Sequence, residues 1–175
     1  MSANAPMAAL DEALEYLVNI TFTKMGYLKT VQENPLHEIQ AVLRSDDVAQ
    51  QRLNMELPES NPQAVEDLRN YIELCTKTSR QMVLHDMINV RYANRPYGWP
   101  GLEVVLLLAR LFVAGEIQFV IGGAVIERGK VYEAITTQNK WRKILVTQRK
   151  TPKPEDVKRA RQLGKDVFSE MGPDG

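Results

Sequence analysis

The sequence is poor in the side chains that build catalytic and metal centres. It holds one cysteine, Cys75, and two histidines, His37 and His85. A single thiol excludes an internal disulfide framework and cannot make a thiolate zinc site alone, so a reducing, cytoplasmic setting without a metal is expected. The longest uninterrupted apolar run, Val104 to Ala109, is far shorter than the roughly 20 residues that span a bilayer. The opening MSANAPMAALDE has no basic segment and no long apolar stretch, so neither a signal peptide nor a membrane partner is expected. A GxxxxGK[ST] phosphate loop is also missing, and no cofactor is expected. The glycine pair Gly122-Gly123 lies between two β-rich runs. It reads as a hairpin turn and not as a phosphate cradle, which needs a helix to follow.

The few polar pairs that invite a catalytic reading are incomplete. His85 adjoins Asp86, but neighbours on a helix point about 100° apart, so the two are not expected to face each other. A triad also needs a nucleophile and an oxyanion hole. His37 beside Glu38 is isolated in the same way, and Cys75 sits on an apolar helix face as a small buried hydrophobe. Acidic residues fall in helix first turns and on polar faces. No nucleophile, base or metal set converges, so a non-enzyme is expected.

What the sequence does have is a charge polarity hidden under a net charge of zero. Residues 1–75 hold 5 Lys/Arg and 12 Asp/Glu, giving −7, and residues 76–175 hold 17 and 10, giving +7. Residues 128–165 hold 12 basic and 3 acidic side chains, a local +9. Lys140, Arg142 and Lys143 precede a strand-like run, and Arg149 and Lys150 follow it. Lys158, Arg161 and Lys165 recur at i, i+3 and i+7, flanked by Arg159. These nine residues are the candidate contact set. Their partner could be DNA phosphates, which need only cations, or an acidic protein face, including that of a second copy. Trp141, inside the basic region, reads as core before it reads as a base-stacking platform.

Hydrophobic spacing predicts a helix over 8–28, with Leu10, Leu14, Leu17, Thr21 and Leu28 on one face, and another over 36–44. Ser45 to Asn61 reads as a loop. Asn61-Pro62 marks a helix start, with Asn61 as the N-cap and Pro62 at the first position. Apolar positions from Val65 to Val90 predict one helix of about 30 residues, or two with a kink near Lys77–Ser79. The segment RPYGWPG, 95–101, enforces a non-helical connection whose aromatics pack on the domain. Residues 102–114 have no polar face and predict the buried central helix, closed by Gly115. Strands are expected at 116–121, 124–128 and 143–149, a helix at 131–140, a spacer at 151–154 and a last helix at 155–170.

The expected fold is thus mainly α (α+β), a helical domain with a small antiparallel sheet. Its organisation reads as an N-terminal helical segment, 1–60, a helical core with a β-hairpin, 61–150, and a basic C-terminal helix, 151–175. A helix, a hairpin and basic flanks also suit a winged-helix-like core. In that fold the helix before the hairpin reads a DNA groove, and the apolarity of 102–114 weighs against it.

The run from Leu84-His85-Asp86 through Arg95-Pro96-Tyr97-Gly98-Trp99-Pro100-Gly101 into the leucine-rich helix resembles an internal stretch of one family. So do Leu10-Asp11-Glu12-Ala13-Leu14-Glu15-Tyr16-Leu17, Phe22 to Leu28, and Arg161-Gln162-Leu163-Gly164-Lys165-Asp166 with the closing Gly172-Pro173-Asp174-Gly175. Together they resemble the large P-loop ATPase of BREX phage-defence systems, the BrxC/PglY type. The resemblance covers most of the chain, and RPYGWP with its helix is its most specific part. It implies a piece of a long cytoplasmic bacterial ATPase, lying beyond the nucleotide-binding core. It also implies work in phage defence within an assembly that includes a DNA methyltransferase. No Walker residue is present to carry over. The Gly-Pro-Asp-Gly end reads as the opening of a connection, as expected of a piece of a longer chain. The leading reading is a non-catalytic helical module that mediates assembly contacts, DNA contacts or self-association. The alternative is a free-standing winged-helix-like DNA-binding regulator.

Overall fold

The computed structural model describes residues 5–44 and 61–149. The 45–60 loop, the 151–154 spacer and the 155–170 helix expected from sequence lie outside these residues.

The first helix, α1 (Ala5–Thr21), stops earlier than the apolar spacing suggested. Phe22 to Leu28 instead form a turn with a 3-10 segment at Met25–Tyr27. An extended strap, 28–34, then leads to α2 (Pro35–Arg44), which buries Ile39 and Leu43. The strap is tied down by two buried polar residues. Asn61 accepts from the Thr30 N–H at 2.8 Å and donates to the Thr30 carbonyl at 2.8 Å. Glu103 accepts from the Gln32 N–H at 2.6 Å. The Asn61 side chain therefore serves the strap and makes no cap bond to its own helix, a correction to its expected capping role. Pro62 does open that helix, α3 (Pro62–Lys77).

Helix α3 ends in a Schellman-type closure. The Arg80 N–H donates to the Cys75 carbonyl at 2.8 Å and the Ser79 N–H to Thr76 at 3.2 Å. The closure needs a left-handed residue, and Ser79 takes it at φ 54°. The two-helix reading placed its kink where the helix ends, at Lys77–Ser79, but the chain there turns fully and does not merely kink. Left-handed backbone costs a side-chain-bearing residue about 1–2 kcal/mol. Ser79→Gly should therefore stabilise the domain by about 0.5–1 kcal/mol, read as a higher urea midpoint with unchanged slope; an unchanged or lower midpoint would refute this account of the turn.

After the turn, Met82 and Val83 form β1, a strand the sequence pattern concealed inside its helical period. A π-helical segment, Asp86–Tyr92, follows. The RPYGWP connection, with a cis Arg95–Pro96 bond, leads to α4 (Gly101–Val113). Gly115, at φ 77°, closes α4 as expected, with Glu116 N–H donating to the Leu111 carbonyl at 3.0 Å. Strand β2 (Ile117–Ile121) turns through Gly122-Gly123 into β3 (Ala124–Val125). Helix α5 (Arg128–Thr136) starts earlier than the spacing suggested, and Gln138–Lys143 is a 3-10 segment. Strand β4 (Ile144–Gln148) then returns to the sheet. The sheet is antiparallel in the order β1-β4-β2-β3, so the last strand lies between β1 and β2.

Helix α4 is the centre of the domain. The π-helical segment, β2, α2 and α5 all pack on it. Glu103, Val104 to Ala109 and Leu111 are buried, with Leu107, Leu108 and Leu111 at 1%, 0% and 1% exposure. The lack of a polar face in 102–114 has this cause: there is no side of the helix on which water needs to be met.

Candidate functional site

Two successive helices precede a β-hairpin here, as in a helix-turn-helix with a wing. The second of them, α4, occupies the place from which such domains read a major groove. In this chain α2 and α5 cover it. A helix enclosed by other helices cannot lie in a groove, so the element that specifies sequence in DNA readers serves here as core. Glu103 to Ala109 and Leu111 are buried, as the apolarity of 102–114 predicted, but that apolarity gives no ground for doubting a winged helix. The apolarity follows from the covering by α2 and α5 and not from a different topology.

The RPYGWP connection builds a second feature beside α4. Tyr92 and Trp99 stack with centroids 4.9 Å apart, and Tyr97 stands edge-on to them at 4.7 and 5.0 Å. Gly98 is left-handed at φ 65°, and a Cβ there would lie 2.8 Å from the Phe22 ring. The Asp67 carboxylate gathers the polar edge of this cluster. It accepts from Lys24 Nζ at 2.6 Å and from the Tyr97 hydroxyl at 2.9 Å. Arg91 donates to the Tyr97 hydroxyl at 2.7 Å and lies 3.9 Å from the Tyr71 ring centre. Lys24 is also fixed through its backbone. Its N–H donates to the Pro96 carbonyl at 2.9 Å, and the Trp99 indole N–H donates to the Lys24 carbonyl at 3.1 Å.

The hydrogen bond to Asp67 raises Lys24 above its usual 10.5. Burial, followed by the Asp67 hydrogen bond, raises Tyr97 above 10.0, and burial raises Tyr92 strongly. In each case the folded value exceeds the unfolded one. The stability these groups contribute is complete below the unfolded value and is lost as pH rises through the folded one. Urea unfolding should thus show a contribution from the cluster that does not vary with pH between pH 6 and 9 and a fall from about pH 10 upward. A stability maximum above pH 10 would contradict these shifts.

The structure separates the sequence-derived contact residues. Lys140 is not a free cation: its Nζ meets Glu133 at 2.5 Å, and this hydrogen bond holds the Glu133 carboxyl below its usual value. Arg142, Lys143 and Arg149 are exposed, and no ion pair engages them among the described residues. Arg142 and Lys143 precede β4 and Arg149 follows it, so they stand at opposite ends of the strand. Lys150, Lys158, Arg159, Arg161 and Lys165 lie outside the described residues. Trp141 is core, with its indole N–H donating to the Ile135 carbonyl at 2.7 Å. An open polar cleft of about 430 Å³ lies beside it, lined by His85, Asn89, Gln138, Asn139 and Arg142. His85 does meet Asp86, Nδ1 to Oδ1 at 3.0 Å, against the expectation from helical geometry. Side-chain rotation closes a gap that the Cα–Cβ directions leave open. Asp86 is exposed, while His85 is half-buried at the cleft and not the solvent-facing or capping side chain the sequence suggested.

Sequence reasoning missed Asp67 and Arg91. Asp67 read as a first-turn helix acid, and only the pairing of its helix with the RPYGWP tyrosines reveals its role. Among the described residues no three His, Cys, Asp or Glu side chains are placed to hold a metal ion. No helix among them is long and apolar enough to cross a membrane.

No solved structure matches the chain. The family model described as the BREX ATP-binding protein BrxC winged helix-turn-helix domain matches residues 24–150. The match opens at Lys24, where the Asp67 cluster takes hold of the chain, and takes in the whole sheet with every helix from α2 to α5. By topology and by family, the chain belongs to the BREX BrxC winged helix-turn-helix domain family.

Proposed function

We propose that this domain is a non-catalytic assembly module of a BREX-type ATPase, a winged helix used to hold protein contacts and not to read DNA sequence. The observation that carries this reading is the burial of Glu103 to Ala109 and Leu111 in the middle of α4. Direct readout needs side chains on base edges, and α4 offers only partly buried residues such as Arg110 at its margins. Arg142 and Lys143 at one end of β4 and Arg149 at the other supply exposed positive charge for acidic faces elsewhere in the assembly. Lys150, Lys158, Arg159, Arg161 and Lys165, outside the described residues, belong to the same candidate contact set by sequence alone. Other parts of the parent ATPase and the defence-system proteins are the partners this reading names.

Exposed cations without an ion pair among the described residues also favour a second reading, weak contact with DNA phosphates. The two differ in salt dependence and in sequence dependence. Binding of the chain to unrelated duplexes is expected to be undetectable or equal for all sequences, and to vanish between about 50 and 200 mM salt. Pull-down by the purified parent ATPase should persist at the higher salt and should weaken on joint replacement of Arg142, Lys143 and Arg149 by Ala. Sequence-selective retention of one duplex at 200 mM salt would overturn the assembly reading.

A further inference from the structure

We propose that the apolar face of α1 is the docking site for residues 155–168 of the same chain. Every residue of α1 from Met7 to Ile20 is exposed. Met7, Leu10, Leu14 and Leu17 are 63%, 54%, 50% and 53% exposed. They fall at successive spacings of three, four and three, one continuous seam along the helix. A helix of 17 residues is marginal in water without packing, and a contiguous apolar stripe of this kind marks a contact surface. The root of the helix is fixed at Lys24 by the bonds to Pro96 and Trp99, so the arm leaves the domain from a set point with its seam uncovered.

Two complementarities name the occupant. The first is register. Val157, Ala160, Gly164 and Val167 repeat the same three-four-three spacing. Run antiparallel to α1, they set Val167 against Met7, Gly164 against Leu10, Ala160 against Leu14 and Val157 against Leu17. The large leucines of α1 then face the two smallest residues of the segment, which lets the backbones approach. The second is charge. Residues 1–23 contain Asp11, Glu12 and Glu15 and no lysine or arginine. The same register places Arg161 beside Asp11, in the flanking positions where coiled-coil ion pairs form. A second copy of α1 is the poorer occupant, because it would bring two acidic flanks together.

Hydrogen exchange on the full 175-residue chain tests this. Leu14→Asp should raise exchange of 155–168 at least tenfold while α4 stays fully protected, which shows that the core is intact. Arg161→Asp should raise exchange of 5–21 several-fold, and adding Asp11→Arg should restore protection in both segments. The chain should remain monomeric, with exchange independent of concentration. Unchanged exchange of 155–168 in Leu14→Asp would overturn the proposal. Protection that grows with concentration would also overturn it, by assigning the seam to a second copy, and so would failure of the reversed pair to restore protection.

Discussion

Leu108→Arg should abolish the cooperative unfolding transition of this domain. Leu108 is fully buried at the middle of α4, the helix on which α2, α5, β2 and the π-helical segment pack. An unpaired guanidinium there would lose its hydration with no carboxylate to meet it, and the effective penalty for such an ion is several kcal/mol. That is comparable with the whole stability of a domain this size, about 5–15 kcal/mol. The milder Leu108→Ala should retain the fold and cost about 3–5 kcal/mol through lost transfer energy and the cavity left behind. In a groove-reading helix a mid-helix arginine would be tolerated and could even strengthen DNA binding. Circular dichroism and urea titration separate the cases, and a folded, DNA-binding Leu108→Arg chain would refute the core assignment.

Asp67→Ala should be the next most damaging change, at about 2–4 kcal/mol. The carboxylate is mostly buried and neutralises Lys24 and Arg91. Without it, the Lys24 ammonium and the Tyr97 hydroxyl keep their surroundings but lose their acceptor. The first segment to loosen should be 22–28, which Lys24 fastens to RPYGWP. Lys24→Met should cost less, because Lys24 is partly exposed and solvent screens its charge. Double-mutant cycles on the pair should give a coupling energy smaller than the Asp67→Ala cost, since Tyr97 also uses the carboxylate. If Asp67→Ala shifts the urea midpoint no more than an exposed substitution such as Glu73→Ala, the cluster has no structural weight.

Much of this was legible in the sequence where one physical requirement dominated. The 102–114 helix is buried, Gly115 closes it, and Gly122-Gly123 joins two strands. In each case a single pattern, apolar all round or positive-φ glycine, admitted one reading. The family resemblance carried by RPYGWP agrees with the matched domain. The misreadings came where tertiary partners decided. Met82 and Val83 fit a helical period, yet the Ser79 turn and the backbone of β4 take them into the sheet. The Asn61 side chain was free to cap its helix or to tie the strap, and only the path of 28–34 selects the strap. Lys140 and Arg142 are two residues apart and equally basic on paper. Glu133, one helix upstream, engages the first and leaves the second exposed. Asp67 gave no sign at all, because its partners are 43, 24 and 30 residues away in the chain.

The most direct test of the claim that the groove-reading position is core is amide hydrogen exchange across α4, with and without a mixture of duplex DNA. The account predicts that the amides of Val104 to Leu111 exchange only through global unfolding, are the slowest in the domain, and do not change when DNA is added. Exchange of these amides through a lower-energy local opening, or added protection in the presence of DNA, would contradict it.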